Sequence, residues 1–125
     1  MPESYRFLAH HIFEHYYNQL VEVNPKLKKS LDTAIQKVKS NPATVGEWMR
    51  GVPVELQGKL YKMWVGGPTR HRLFYLFFAE KKLAIGVFIS PEIRSRFDYE
   101  KFPWELFLEV ASDFKAEKLE NFRII

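Results

Sequence analysis

Residues Leu60 to Ser90 read LYKMWVGGPTRHRLFYLFFAEKKLAIGVFIS, and this stretch decides the fold class. Leu60 to Val65 is rich in aromatic and aliphatic residues, and Gly66-Gly67-Pro68-Thr69 is a turn signal. Arg72 to Phe78 is an almost unbroken apolar run, the pattern of a strand covered on both faces. After the polar turn Ala79 to Lys82, the segment Leu83 to Ser90 alternates. Leu83, Ile85, Val87 and Ile89 are expected on one face, with Ala84, Gly86 and Phe88 on the other. A glycine at 86 permits close approach, whether by a ligand, another backbone or packed side chains. The pattern predicts an antiparallel meander of three strands.

Upstream, Leu27, Leu31, Ala34, Ile35 and Val38 recur at helical spacing between Lys26 and Ser40, with lysines and polar residues opposite them. Asn24-Pro25 suits the start of that helix and Asn41-Pro42 its end, because proline disfavours helix in the residue before it. Ile12, Phe13, Tyr16, Tyr17 and Leu20 predict a further amphipathic helix from about His10 to Val21, so the two form a helical hairpin. Thr44 to Gly58 is punctuated by Gly46, Gly51, Pro53 and Gly58 and reads as a connection with one short turn. Downstream, Pro91 ends the last strand and Ile93 to Lys101 is charged. Pro103 can open a final helix with Leu106, Phe107, Val110, Ala111 and Phe114 on its apolar face. The sum is an α+β domain with helices on one face of the sheet.

At 125 residues the chain fits one domain, spanning 1–125, and an aromatic share of 16% with 11 Phe rules out a disordered chain. There is no cysteine, so neither disulfides nor thiolate chemistry enters. Met1 to His10 lacks a basic segment followed by an apolar run, and no apolar stretch approaches the roughly 18 residues of a membrane span. A soluble, cytoplasmic protein with no membrane contact is expected. Net charge is +4, and its placement is uneven: Lys59 to Lys101 carries nine basic residues against four acids, and the rest of the chain is slightly acidic. Such a local cationic field suits an anionic partner, nucleic acid or an acidic protein, although a solvated surface also carries charges of this kind.

His11-Ile12-Phe13-Glu14-His15 matches a zinc-binding spacing on a helix, but no third ligand stands on a recognisable motif, and no metal or other cofactor is expected. Phosphate-binding, dinucleotide-binding and serine-hydrolase motifs are lacking. More informative are Lys62, Arg70, Arg72, Arg94, Arg96 and Tyr99, on or just after the meander. Arg70 and Arg72 share parity and project from one face, and Arg94 follows the neighbouring strand. Arginine forks match phosphate geometry and can stabilise charge on a phosphorus centre under attack, while Lys or Tyr can move protons. The same residues can instead form a solvated basic strand end that binds a partner.

The order of these features resembles the RelE/ParE toxin superfamily over about residues 5–99. The resemblance rests on LYKMWVGGPTRHRLFY from Leu60 to Tyr75, in which a basic residue precedes a glycine turn and an R-L-x-Y strand. AIQKVKSNP followed by MRGVP upstream, and VFISPEIRSRFDY downstream, resemble the second helix and its loop and the last strand with its basic tail. It implies that Tyr5 to Ala9 is a first strand, giving an N-terminal helical hairpin on a sheet of three to four strands. A C-terminal helical extension at about 103–120 would be added to that core.

For function, the resemblance implies a metal-independent endoribonuclease that cuts mRNA in the ribosomal decoding site by 2′-hydroxyl attack on the adjacent phosphate. By position, Lys62, Arg72, Arg94 and Tyr99 correspond to catalytic residues: the arginines stabilise transition-state charge, and Lys62 or Tyr99 moves the proton. Lys59, Trp64, Arg70 and Arg96 are the accompanying RNA contacts. An antitoxin protein that covers the basic face is the implied partner besides mRNA and the ribosome. Two departures stand out: Trp64 occupies the place of a second basic residue in some active members, and the turn from Gly66 to Arg70 is longer than usual. Trp64 can stack a base or fill core. The alternatives are a ParE-like gyrase inhibitor and a member of the fold that binds RNA or protein without cutting. The C-terminal helix can pack on the sheet, shape the cleft or imitate antitoxin cover.

Overall fold

The computed structural model describes residues 5–67, 69–93 and 102–125. Strand β1 (Arg6–His10) leads directly into helix α1 (His11–Val23), whose first turn is capped by His10 as its Nδ1 accepts from the Ile12 amide at 3.2 Å. Helix α2 (Leu27–Ser40) starts later than Asn24-Pro25 suggests. These two residues form a turn, with Asn24 Oδ1 accepting from the Lys26 amide and the Asn24 carbonyl from Leu27. It stops at Asn41 before Pro42, as proline's clash with the preceding residue dictates. A single turn, α3 (Pro42–Val45), and a two-residue strand, β2 (Glu47–Trp48), occupy the connection. Then come β3 (Leu60–Val65), β4 (His71–Phe78), β5 (Leu83–Ile89), helix α4 (Trp104–Lys115) and β6 (Phe122–Ile124).

The fold is α+β, and among the described residues its sheet is larger than the pattern predicts: six strands in the order β2-β3-β4-β5-β1-β6. It is also mixed. The β3–β4–β5 meander is antiparallel, β1 runs parallel to β5 with Arg6 opposite Leu83, and β6 lies antiparallel on the outer side of β1. Among the described residues no helix is long and apolar enough to cross a membrane.

Helices lie on both faces of this sheet, not on one. Phe13 of α1 and Leu27, Leu31, Ala34, Ile35 and Val38 of α2 pack on Phe7, Leu73, Tyr75, Phe77 and Ala84. On the opposite face, Phe107 and Val110 of α4, with Phe102, Leu56 and Met49, cover Leu60, Phe74, Leu76, Ile85 and Phe88. The reason is β4, every side chain of which from Leu73 to Phe78 is buried; a strand apolar on both sides needs cover on both. The rings of Phe74, Phe102 and Phe107 form the joint: Phe102 stacks on Phe107 at 5.0 Å and meets Phe74 edge-on at 4.9 Å. The C-terminal helix therefore packs on the sheet.

One detail of β5 differs from simple alternation. Phe74 pairs with Phe88 but Tyr75 with Gly86, so Val87 is an extra residue in a β-bulge. The bulge turns Phe88 to the α4 side beside Val87 and sends Ile89 to the α1–α2 side. Gly86 faces α1, where a Cβ would lie 2.8 Å from the Phe7 ring and 2.9 Å from the Phe13 ring. Packed aromatic rings fill the space that this glycine leaves. Because both rings are locked in an edge contact at 5.8 Å, Gly86→Ala should destabilise the protein by about 1–3 kcal/mol, read as a lower urea midpoint at unchanged slope.

Candidate nucleic-acid interface

The register of β3 against β4 sets Trp64 directly opposite Arg72 and Lys62 opposite Phe74. Side chains alternate along a strand, so Lys62, Trp64 and Arg72 project from one face, the face that α4 partly covers. Beyond the reach of α4 the indole of Trp64 is 42% exposed. The Arg70 guanidinium carbon lies 4.4 Å from its ring centroid and that of Arg72 4.3 Å. Both cations are held by the quadrupole of the one indole. Trp64 is thus surface, not core, and it converts two mutually repelling arginines into a single cationic, aromatic platform.

The strand end bearing these arginines is braced from behind. Ser90 Oγ accepts from the Arg72 amide at 2.8 Å, and the Arg72 carbonyl accepts from the Ser90 amide at 2.9 Å. Buried His71 donates through Nδ1 to the Ser90 carbonyl at 2.9 Å, which leaves Nε2 to accept from the Thr69 hydroxyl at 2.7 Å. The Arg70 carbonyl accepts from Ile93 at 2.7 Å. Local composition gave no sign of this bracing, because its partners sit on different strands. The long turn rests on α2: Gly67 adopts φ +112°, and a side chain there would meet the Ser30 hydroxyl.

Lys62 is partly enclosed, with a side chain 19% exposed and its Nζ 4.0 Å from Glu47 Oε2. Arg70, Arg72, Trp64 and Lys62 are therefore brought together. Lys59 is not: it precedes β3 at the far end, with Nζ 5.6 Å from the Phe78 ring. Arg94, Arg96 and Tyr99 lie outside the described residues. Among those described, no three His, Cys, Asp or Glu side chains cluster as a metal site requires. His11 and His15 are exposed on α1, and Glu14 of the same motif is held by Arg123 at 2.7 Å.

A second polar cluster fixes the cover. His10, fully buried, donates through Nε2 to Asp113 Oδ2 at 2.9 Å, and Asp113 also accepts from Asn121 at 3.1 Å and has Lys118 at 3.8 Å. This bolts α4 and the approach to β6 onto the β1–α1 junction. With Nδ1 occupied by the Ile12 amide, His10 is a neutral imidazole with no site for a second proton. Burial holds its pKa below the usual 6.5, outweighing the attraction of Asp113, and the His10 hydrogen bond holds the Asp113 carboxyl below its ordinary value. Both groups bind protons more readily in the unfolded chain: the His10 contribution is complete above pH 6.5 and shrinks as pH falls below it, and that of Asp113 is complete above pH 3.8 and shrinks below that. The urea midpoint should drop between about pH 7.5 and pH 5.5, and His10→Gln should flatten that dependence. Asp113→Ala, which strands the buried Nε2–H, should cost about 1–3 kcal/mol at neutral pH.

No family model matches this chain, and no curated protein matches it.

Proposed function

We propose that this protein is a RelE-like endoribonuclease that cuts mRNA on the ribosome, with the β3–β4 face as its RNA-contacting surface. The observation that carries this reading is the Arg70–Trp64–Arg72 platform, since paired guanidiniums suit phosphate oxygens and an exposed indole suits an unpaired base. In the proposed reaction the 2′-hydroxyl attacks the adjacent phosphorus. The P–O2′ bond forms, the P–O5′ bond breaks, and a proton passes from the nucleophile while another reaches the leaving 5′ oxygen. Arg72 and Arg94 stabilise the charge on the phosphoryl oxygens, and Lys62 or Tyr99 serves proton transfer. Dependence on the 2′-hydroxyl makes RNA the substrate. A small antitoxin that covers the basic face is the proposed protein partner, and the cytoplasm the proposed compartment.

A second reading draws support from Lys62. Its Nζ lies 4.0 Å from Glu47 Oε2, and a cation held beside a carboxylate suits fixing a partner. This favours a non-catalytic member of the same fold that binds RNA or protein, ParE-like gyrase inhibition included. Primer extension on a defined mRNA, with and without programmed ribosomes, separates the two. The endonuclease reading expects cuts that require ribosomes and that fall by at least about a hundredfold in Arg72→Ala, the scale of one lost transition-state donor. Intact mRNA in every lane, with the ribosomes shown to be active, eliminates that reading and selects the binding one, and a supercoiling assay then tests gyrase.

A further inference from the structure

The cover that α4 gives to the sheet is incomplete at the end of β4 remote from Arg72. Leu108, Ala111, Ser112 and Lys115 recur along one stripe of α4 at spacings of three and four, and Ala111 and Ser112 are small. Beside this stripe a groove of about 650 Å³ is left between α4, the end of β4, the turn Val54–Leu56 and the turn Ala79–Lys81. Leu56, Leu76, Phe78, Leu108 and Phe114 supply its apolar lining, and the rings of Phe78 and Phe114 lie against each other at 5.0 Å. Its volume falls in the range of small-molecule sites, about 300–1,000 Å³.

The charges at its border are Lys59, Lys81 and Lys115 against Glu55 and Glu80, three against two, a net of +1. Among the described residues none of these three lysines is in an ion pair, although both glutamates border the same groove. Instead, Lys59 Nζ lies 5.6 Å from the ring centroid of Phe78, and Lys81 Nζ lies 4.9 Å from that of Phe114. Two ammonium groups therefore stand over two rings that touch. Such contacts at exposed sites are weak, and a carboxylate brought to the same place is the stronger partner.

We propose that this groove binds a medium-chain fatty acid as its free carboxylate. The hydrocarbon chain lies on Phe78, Phe114 and Leu108, and Lys59 and Lys81 donate to the carboxylate at the mouth. A net charge of +1 matches a monoanion and gives little hold on a polyanion such as a nucleic-acid strand. Ser112 is the one uncharged polar side chain among the described residues of the lining, so a sugar or a nucleobase would leave its polar edges unmatched there. The site uses none of the residues assigned to RNA, and it stands whether or not the protein cuts mRNA.

Isothermal titration calorimetry with sodium decanoate, kept below micelle-forming concentration, tests the proposal, with decylamine and decanol as probes of the head group. One decanoate should bind per chain, octanoate should bind roughly fifteenfold more weakly, the scale of two buried methylenes, and decylamine should not bind. Lys59→Gln and Lys81→Gln should each weaken decanoate about tenfold, as expected for a lost hydrogen bond to a charged group, and leave decanol unchanged. Ala111→Trp should abolish binding by filling the groove. Both lysines are exposed, so their variants keep the fold, and the test does not hang on Ala111→Trp. No decanoate binding by the native protein, equal binding of decylamine, or full affinity in the double variant Lys59→Gln, Lys81→Gln would overturn the site. A dimer in sedimentation velocity that Ala111→Trp dissolves, with decanoate unbound, would make a second copy of the chain the occupant and overturn it as well.

Discussion

The structure depends on the two-sided burial of β4. Leu73, Tyr75 and Phe77 need one apolar layer, and Phe74, Leu76 and Phe78 need another. The α1–α2 hairpin provides the first layer, and α4 with Phe102 and the Leu56 turn provides the second. A meander without α4 would leave Phe74 and Phe88 in water, an apolar patch of the sort that isolated domains rarely tolerate. Cover by α4 is therefore a condition of the fold, and the His10–Asp113 bolt holds that cover in register.

The same burial explains where charge can stand. Arg72 is the residue of β4 nearest its start that faces the α4 layer, and there the cover runs out. Its guanidinium lies over the ring of Trp64, directly across the ladder. Arg70, just outside the strand, does the same. The platform is thus a by-product of register: once Trp64 opposes Arg72, the apolar body of the indole and the cations complete one another.

The hairpin helices and the meander were legible because each repeats a clear period over many residues. Arg70 and Arg72 on one face followed from parity alone. The short strands β2 and β6 were not legible: two and three residues carry no period, and each exists only because a longer neighbour offers free backbone groups. The bulge at Val87 was hidden for a different reason, since Leu83 to Ile89 alternates well in sequence and only pairing with β4 shows the extra residue. The His10–Asp113 contact joins residues 103 apart, a separation over which composition says nothing.

The parallel pairing of β1 with β5, and the closing of β6 on β1, set an order on synthesis. Arg6 meets Leu83, and Leu8 meets Ile124, so β1 takes both of its neighbours from far along the chain. The α1–α2 hairpin and the β3–β4–β5 meander can form locally as they emerge, whereas β1 must wait for its partners. Until β5 has been made, the segment RFLAH has unpaired amides and carbonyls on both sides, and until β6 follows it has them on one. Nascent-chain chaperones would find a binding segment there, one that closes in two steps.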